Sequence, residues 1–231
     1  MNQSSHSYGS EDLRPPIGVI FDWDGVVIDS STHHEESWNR LAREEGLFLP
    51  QDHFLKGFGM KNEAIIPRIL NWTQTPNEIT RLSLRKEVLY RKIIEEWGIE
   101  PLRGVRTLLE RFEDGGIPCA IGSSTHRLNI TTSLELLGLG RFFRNLVTAE
   151  DVQQGKPNPE VFLLAAKGLG RNPNRCVVFE DAPMGIEAAL AGGMKAIGLT
   201  TTHSKSVLAK ATLVIRRLDE MDIDRLENLF D

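Results

Sequence analysis

The sequence predicts an α/β fold, a parallel sheet with helices on both faces and an all-helical insert after its first strand. Two observations predict it. From Ile17 onward, short continuous apolar runs alternate with helical patterns, and such runs fit strands buried between two helix layers. Between about His33 and Glu100 the alternation stops, and helical periodicity remains without a clear strand. A chain of 231 residues is long enough for one large domain or a core with a smaller partner.

Strands are expected at residues 17–21, 117–121, 146–148, 176–179, 196–199 and 213–215. In the insert, Trp38, Leu41, Ala42 and Glu45 lead to a stop at Gly46. A second helix opens with Thr75, Pro76 and Glu78, the pattern of a capping box with proline at the first position. Its stripe runs Ile79, Leu82, Leu89, Ile93 and Trp97, and Gly98 ends it. In the core, Val105, Leu108, Leu109 and Phe112 form an apolar stripe before Gly115. Asn158 is placed to cap a helix with Pro159 first, Glu160 behind it, and Val161, Phe162 and Ala165 inward. The expected divisions are a disordered tail at 1–16, a Rossmann-like core from 17–30 and 101–231, and the helical insert at 31–100.

Composition narrows the function classes. Lys plus Arg number 27 against 32 Asp plus Glu, a net charge of −5, which disfavours sequence-independent nucleic-acid binding. The 40% hydrophobic and 26% charged content is that of an ordinary globular chain. Cys119 and Cys176 fall in expected strands and read as small buried hydrophobes in a reducing compartment. No apolar run approaches the ~18 residues of a membrane span. The first 14 residues are polar, without a basic start or apolar stretch, so a cytoplasmic protein without a signal peptide is expected.

The chemistry gathers at strand ends. The first strand runs into Phe21-Asp22-Trp23-Asp24-Gly25, two carboxylates whose repulsion a hard cation such as Mg2+ would offset. Taken alone, this reads equally well as a solvated turn. The second strand ends in Gly122-Ser123-Ser124-Thr125, whose hydroxyls and amides suit phosphate oxygens. The third leads to Gly155-Lys156-Pro157-Asn158-Pro159-Glu160, and the fourth ends in Glu180-Asp181. Ligands of open α/β sheets bind in the crevice beyond these ends. Four such groups in register point to a site rather than to four solvated charges.

The set resembles the haloacid-dehalogenase-like phosphotransferases over nearly the whole chain from Ile17. Asp22-Trp23-Asp24-Gly25 is similar to their first motif, Ser123 to the second, Lys156 to the third and Glu180-Asp181 to the fourth; the insert is similar to their helical cap. The resemblance implies that Asp22 attacks phosphorus to form an aspartyl phosphate. It implies that Asp24, with a raised pKa, protonates the leaving oxygen and then activates water. It implies Mg2+ on Asp22, the Asp24 carbonyl and Asp181, with Glu180 assisting. Ser123, Ser124 and Lys156 would hold the phosphoryl oxygens. A receiver domain is about half this length and has no insert. Sugar-nucleotide transferases share only Asp-x-Asp, and no G-x-G-x-x-G follows the first strand as a dehydrogenase requires.

The insert carries the substrate candidates. His34 and Trp38 share a helix face and resemble a pair in the β-phosphoglucomutases, where the histidine assists proton transfer. A partly exposed structural histidine is the alternative. Leu55-Lys56-Gly57 resembles the mutases' loop, but residues 57–63 depart from it and lack the phosphate-gripping arginine. Lys56 or Lys61 could stand in only as point charges. Gly59-Met60-Lys61-Asn62-Glu63, Arg85-Lys86-Glu87 and Arg216-Arg217-Leu218-Asp219-Glu220 resemble the pyrimidine phosphatases of riboflavin synthesis. Trp23 either packs or limits the leaving group. The expectation is a Mg2+-dependent phosphatase of a small phosphorylated metabolite, a monomer or weak homodimer with no nucleic-acid or membrane partner. Alternatives are a β-phosphoglucomutase-type phosphohexomutase, the riboflavin-pathway phosphatase and a non-catalytic metabolite-binding protein.

Overall fold

A computed structural model describes residues 16–57 and 60–231; the expected tail up to residue 15, with Phe58 and Gly59, lies outside the described residues. The strands are β1 (Gly18–Phe21), β2 (Cys119–Gly122), β3 (Phe143–Val147), β4 (Cys176–Glu180), β5 (Lys195–Leu199) and β6 (Leu213–Ile215). They form one sheet in the order β3-β2-β1-β4-β5-β6, with every pairing parallel. The register sets Val19 of β1 between Cys119 and Val177. Strands β1, β2 and β4 are buried at every position, which is why their sequences are continuously apolar rather than alternating.

The helices are α1 (Ser31–Glu45), α2 (His53–Gly57), α3 (Asn62–Ile65), α4 (Pro76–Trp97), α5 (Val105–Asp114), α6 (Arg127–Leu137), α7 (Glu160–Gly168), α8 (Pro183–Ala191) and α9 (Ile223–Glu227). Leu108 and Phe112 of α5, Ile130 of α6 and Leu226 of α9 pack with Phe21 and Phe179 on one sheet face. Phe162 of α7 and Ile186 of α8 pack with Ile20 and Val178 on the other. Phe21 and Phe179 stack across neighbouring strands, with centroids 4.9 Å apart and planes within 6°. A third cluster contains only residues between Trp38 and Leu89, from α1, α4 and the stretch 65–70 between them, so the helical segment has its own apolar interior.

Some local expectations change. α7 begins at Glu160 with Pro159 as its cap residue; the Asn158 side-chain oxygen accepts from the Glu160 amide at 3.0 Å. Thr75 precedes α4, but its side chain makes no cap bond. Glu78 is drawn instead to Arg81, at 2.7 Å. Trp97, at the end of the predicted stripe, is 53% exposed because α4 runs past the insert's interior; its ring meets His33 and Arg40. Both cysteines are buried and free, as expected. Among the described residues, no helix is long and apolar enough to cross a membrane.

The connections run from β1 outward to β3 and then resume at β4 on the opposite side. The order therefore reverses between β1 and β4. Their carboxyl ends open a crevice there, and the acidic residues following both strands stand at its floor.

Candidate active site

Beyond Phe21 the chain leaves the sheet but stays tied to it: the Asp22 amide donates to the Phe179 carbonyl at 2.9 Å. A tight turn follows, closed by the Gly25 amide on the Ile28 carbonyl at 2.9 Å. Gly25 has φ +76°, and a Cβ there would stand 2.1 Å from Asp181 Oδ2. Only glycine allows the turn to lie against the carboxylate.

Asp22 Oδ1 accepts from the Lys156 ammonium at 2.7 Å, and Lys156 also donates to Glu180 Oε1 at 2.8 Å. The other Glu180 oxygen accepts from the Ala182 amide at 2.7 Å. Asp181 accepts from the Thr202 hydroxyl. Asp22, Glu180 and Asp181 are all buried, and each brings an oxygen within 4.8 Å of the others. Burial pushes the Asp22 carboxyl up to about 7, aided by the charges of Glu180 and Asp24 and resisted by Lys156. Burial, then Glu180 and Asp22, raise Asp181 well above the carboxylate range. Three carboxylates against one lysine leave an uncompensated negative charge, and an all-oxygen donor set fits a hard divalent cation such as Mg2+.

Asp24 is turned away from this cluster. It accepts hydrogen bonds from the hydroxyls of Ser30 and Thr125, and His34 Nε2 lies 3.1 Å from its Oδ1. Its backbone carbonyl is therefore what remains for the metal role expected of it. Burial would raise the Asp24 carboxyl, but the His34 ring and the two hydroxyls outweigh it and bring it to about 2. The raised pKa expected for a proton donor is thus absent from this arrangement. The expectation missed Ser30 and Thr125 as partners of Asp24, although Thr125 stands beside the expected phosphate-binding serines.

His34 is partly exposed, and both of its ring nitrogens are held. Lys86 Nζ donates to its Nδ1 at 2.7 Å, so Nε2 carries the proton and donates to Asp24. Burial and then Lys86 hold the ring below the usual histidine range, against the pull of Asp24. Tyr90 stacks on the ring at 4.1 Å. Lys86 is itself buried, 3.1 Å from Glu87 and 5.5 Å from the Trp38 ring centroid. Its position in the apolar stripe between Leu82 and Leu89 was the available signal that this lysine works inside the protein.

One cavity joins these groups. Asp22, Asp24, Ser123, Ser124, Lys156 and Asp181 line it from the core, and His34, Trp38, Lys61 and Lys86 from the insert. Ser123 is buried, and its hydroxyl accepts from the Thr125 amide at 3.2 Å. Lys61 reaches from the insert to the carbonyls of Ala149 and Val152, at 2.7 and 3.0 Å. Lys56 does not line the cavity; it is exposed, 3.6 Å from Asp52. Trp23 is fully buried in the core and does not line the cavity either, so of its two readings packing holds. Met60, Asn62, Glu63 and Glu87 line the cavity, whereas Arg85 pairs with Glu44 and the Arg217 side chain with Asp219.

The comparisons agree with this architecture. The pattern of the family described as haloacid dehalogenase-like hydrolase matches residues 19–199. The chain is 37% identical over 218 residues to a chloroplastic 5-amino-6-(5-phospho-D-ribitylamino)uracil phosphatase of Arabidopsis thaliana, covering 93% of this chain and 58% of that protein. It is 32% identical over 180 residues to a fructose-1-phosphate phosphatase of Escherichia coli, covering 78% of this chain and 94% of the relative. A crystal structure of β-phosphoglucomutase from Clostridium difficile superposes with a TM-score of 0.82 at 27% identity, covering 93% and 97% of the two chains. The chain belongs to the haloacid dehalogenase-like hydrolases, among their phosphoric monoester hydrolases and mutases.

Proposed function

We propose that this protein is a Mg2+-dependent phosphatase of a small phosphorylated metabolite, working through an aspartyl phosphate on Asp22. The observation that carries this reading is the buried set of Asp22, Lys156, Glu180 and Asp181, with Asp24 beside it. Lys156, Ser123 and Ser124 would hold the phosphoryl oxygens, and an Asp22 oxygen would attack phosphorus while the ester P–O bond breaks. Mg2+ on Asp22 and Asp181, with Glu180 behind them, would supply positive charge against the transferring group. Water would then attack phosphorus, the Asp22 carboxylate would leave, and Asp24 would take the proton.

Asp24 as arranged here suits that second step, because His34, Ser30 and Thr125 keep it ionised. To protonate a leaving oxygen it must first lose some of these donors. A non-catalytic protein has no use for this set, since buried charges of one sign are costly without a bound cation.

The phosphatase is preferred to the mutase by an account of the cations. A mutase must grip a second phosphate from the insert. Among the described residues, both insert lysines that line the cavity are committed, Lys61 to backbone carbonyls and Lys86 to His34 and Glu87. The riboflavin-pathway pyrimidine phosphate is the second substrate reading, supported by the 37% identity and by Met60, Asn62, Glu63 and Lys86 at the cavity wall. The test is a panel of phosphate-release assays with Mg2+, spanning hexose phosphates, hexitol and pentitol phosphates, nucleotides and that pyrimidine phosphate. Release that disappears in Asp22→Asn is expected. Conversion of β-glucose 1-phosphate to the 6-phosphate without phosphate release would overturn the reading in favour of the mutase.

A further inference from the structure

The short helix α2 starts at His53, one of the residues that line the cavity from the insert side. His53 is only 7% exposed. Its Nδ1 lies 2.8 Å from the Pro50 carbonyl oxygen, an atom that can only accept, so Nδ1 carries the ring proton. In the neutral ring Nε2 then holds a lone pair, and it is buried without a partner. Buried polar atoms are nearly always satisfied, so an orphan acceptor on a residue that lines a cavity points to a place where a ligand donates.

The surroundings sharpen what that ligand is. Phe54, Met60 and Ile65 line the same wall and have no donor to offer the ring. Asn62 spends its amide hydrogens on Ser83 and Glu87, at 3.2 and 2.6 Å. Glu63 adds a carboxylate that accepts from Ser83 at 3.1 Å. The free polar atoms that Asn62 and Glu63 bring to the cavity are thus acceptors, and a second phosphate beside Glu63 would meet its negative charge. Hydroxyl and amino groups would be matched.

We propose that His53 Nε2 is a specificity contact, accepting a hydrogen bond from a hydroxyl or amino group on the leaving group. The favoured substrate class is the monophosphate of a hydroxyl- or amine-rich molecule. This inference rests on the phosphatase reading and names what its site selects.

The test compares ribitol 5-phosphate, rich in donors, with p-nitrophenyl phosphate, whose leaving group has none. In His53→Phe the ratio of kcat/KM between them should fall about ten- to a hundredfold, mostly through KM for the pentitol phosphate. His53→Gln, which retains an acceptor, should recover part of the ratio. A merely structural role would lower both substrates together and leave the ratio alone. A ratio unchanged within about twofold in His53→Phe overturns the proposal. Calorimetric binding of ribitol 5-phosphate to Asp22→Asn, with and without His53→Phe, reads the same contrast without turnover. Absent hydrolysis with the binding contrast intact would therefore overturn the phosphatase reading and leave the His53 contact standing.

Discussion

His34 Nε2 lies 3.1 Å from Asp24 Oδ1, and the proton between them belongs to the histidine because Lys86 fills the other ring nitrogen. Together with the hydroxyls of Ser30 and Thr125, this holds Asp24 as a carboxylate down to about pH 2. A depressed carboxyl pKa stabilises the fold above the unfolded value, and that stability is lost as pH falls through the folded value. Removing a donor brings the folded value back toward 3.8.

With Mg2+ saturating, so that Asp22 stays ionised, Thr125→Val is therefore expected to move the acid limb of kcat to higher pH, because fewer Asp24 carboxyls are ionised for the water step. Loss of one hydrogen bond to a charged group is worth about 1.5–3 kcal/mol, roughly a tenfold to hundredfold loss of rate near the limb. A pH–rate profile of Thr125→Val with the limb unmoved would show that Asp24 does not act as the base.

Asp22 behaves in the opposite sense. Its folded pKa is raised to about 7, so between about pH 4 and 7 the folded state keeps a proton that the unfolded chain releases. Stability therefore falls as pH rises through that window, and a bound cation reverses the loss. Added Mg2+ should raise the melting temperature more at pH 8 than at pH 5, where the proton competes with it. In Asp22→Asn that pH dependence should flatten. Thermal melts with Mg2+ and with chelator at the two pH values give the four numbers needed.

Gly185 makes a third prediction because two effects oppose each other there. A glycine inside α8 costs about 1 kcal/mol against alanine, so Gly185→Ala should stabilise the helix. Yet its Cβ would stand 1.7 Å from Glu180 Oε1, the atom that binds Lys156. The contact is too close to tolerate, so Glu180 must move and Lys156 loses a partner. Activity should fall at least about a hundredfold, given what misplacing a catalytic group costs. Titration with Mg2+ should show weaker binding; unchanged kcat and Mg2+ affinity would contradict the geometry.

What the sequence disclosed divides along physical lines. Buried strands announce themselves as continuous apolar runs, so β1, β2, β4 and β5 were legible to within a residue or two, whereas β3, partly exposed with Arg144 and Asn145 inside it, was met only at its last two residues. Asp22, Ser123, Lys156 and Asp181 were legible because each follows a strand, and the parallel sheet brings strand ends together. The insert was harder to read. Lys61, just before α3, meets core carbonyls 88 and 91 positions away, and Lys86 of α4 meets a ring 52 positions away, so neither partner can be read locally. His53 had no local signal, because its meaning comes from an unpartnered nitrogen at a wall built by other segments.

The last prediction concerns how the insert is held on the core. Asn129 of α6 donates to Glu87 of α4 and accepts from Arg91 at 2.8 Å, and Lys61 makes its two bonds to core carbonyls elsewhere. Burial works against the Glu87 charge, but Lys86, His34, His126 and Asn62 overcome it and bring its carboxyl to about 2, so the group stays ionised and needs its donors. Asn129→Leu removes one of them and should cost about 1–3 kcal/mol in urea unfolding. Lys61→Met acts at a partly exposed residue and should cost about 1 kcal/mol or less, with the larger effect in KM. If both contacts hold one closed arrangement, losing either lets the insert swing and leaves the other with less to hold. The double variant should then raise KM by less than the product of the single effects. Independent anchors would multiply instead, and that outcome would separate two local contacts from a single closure.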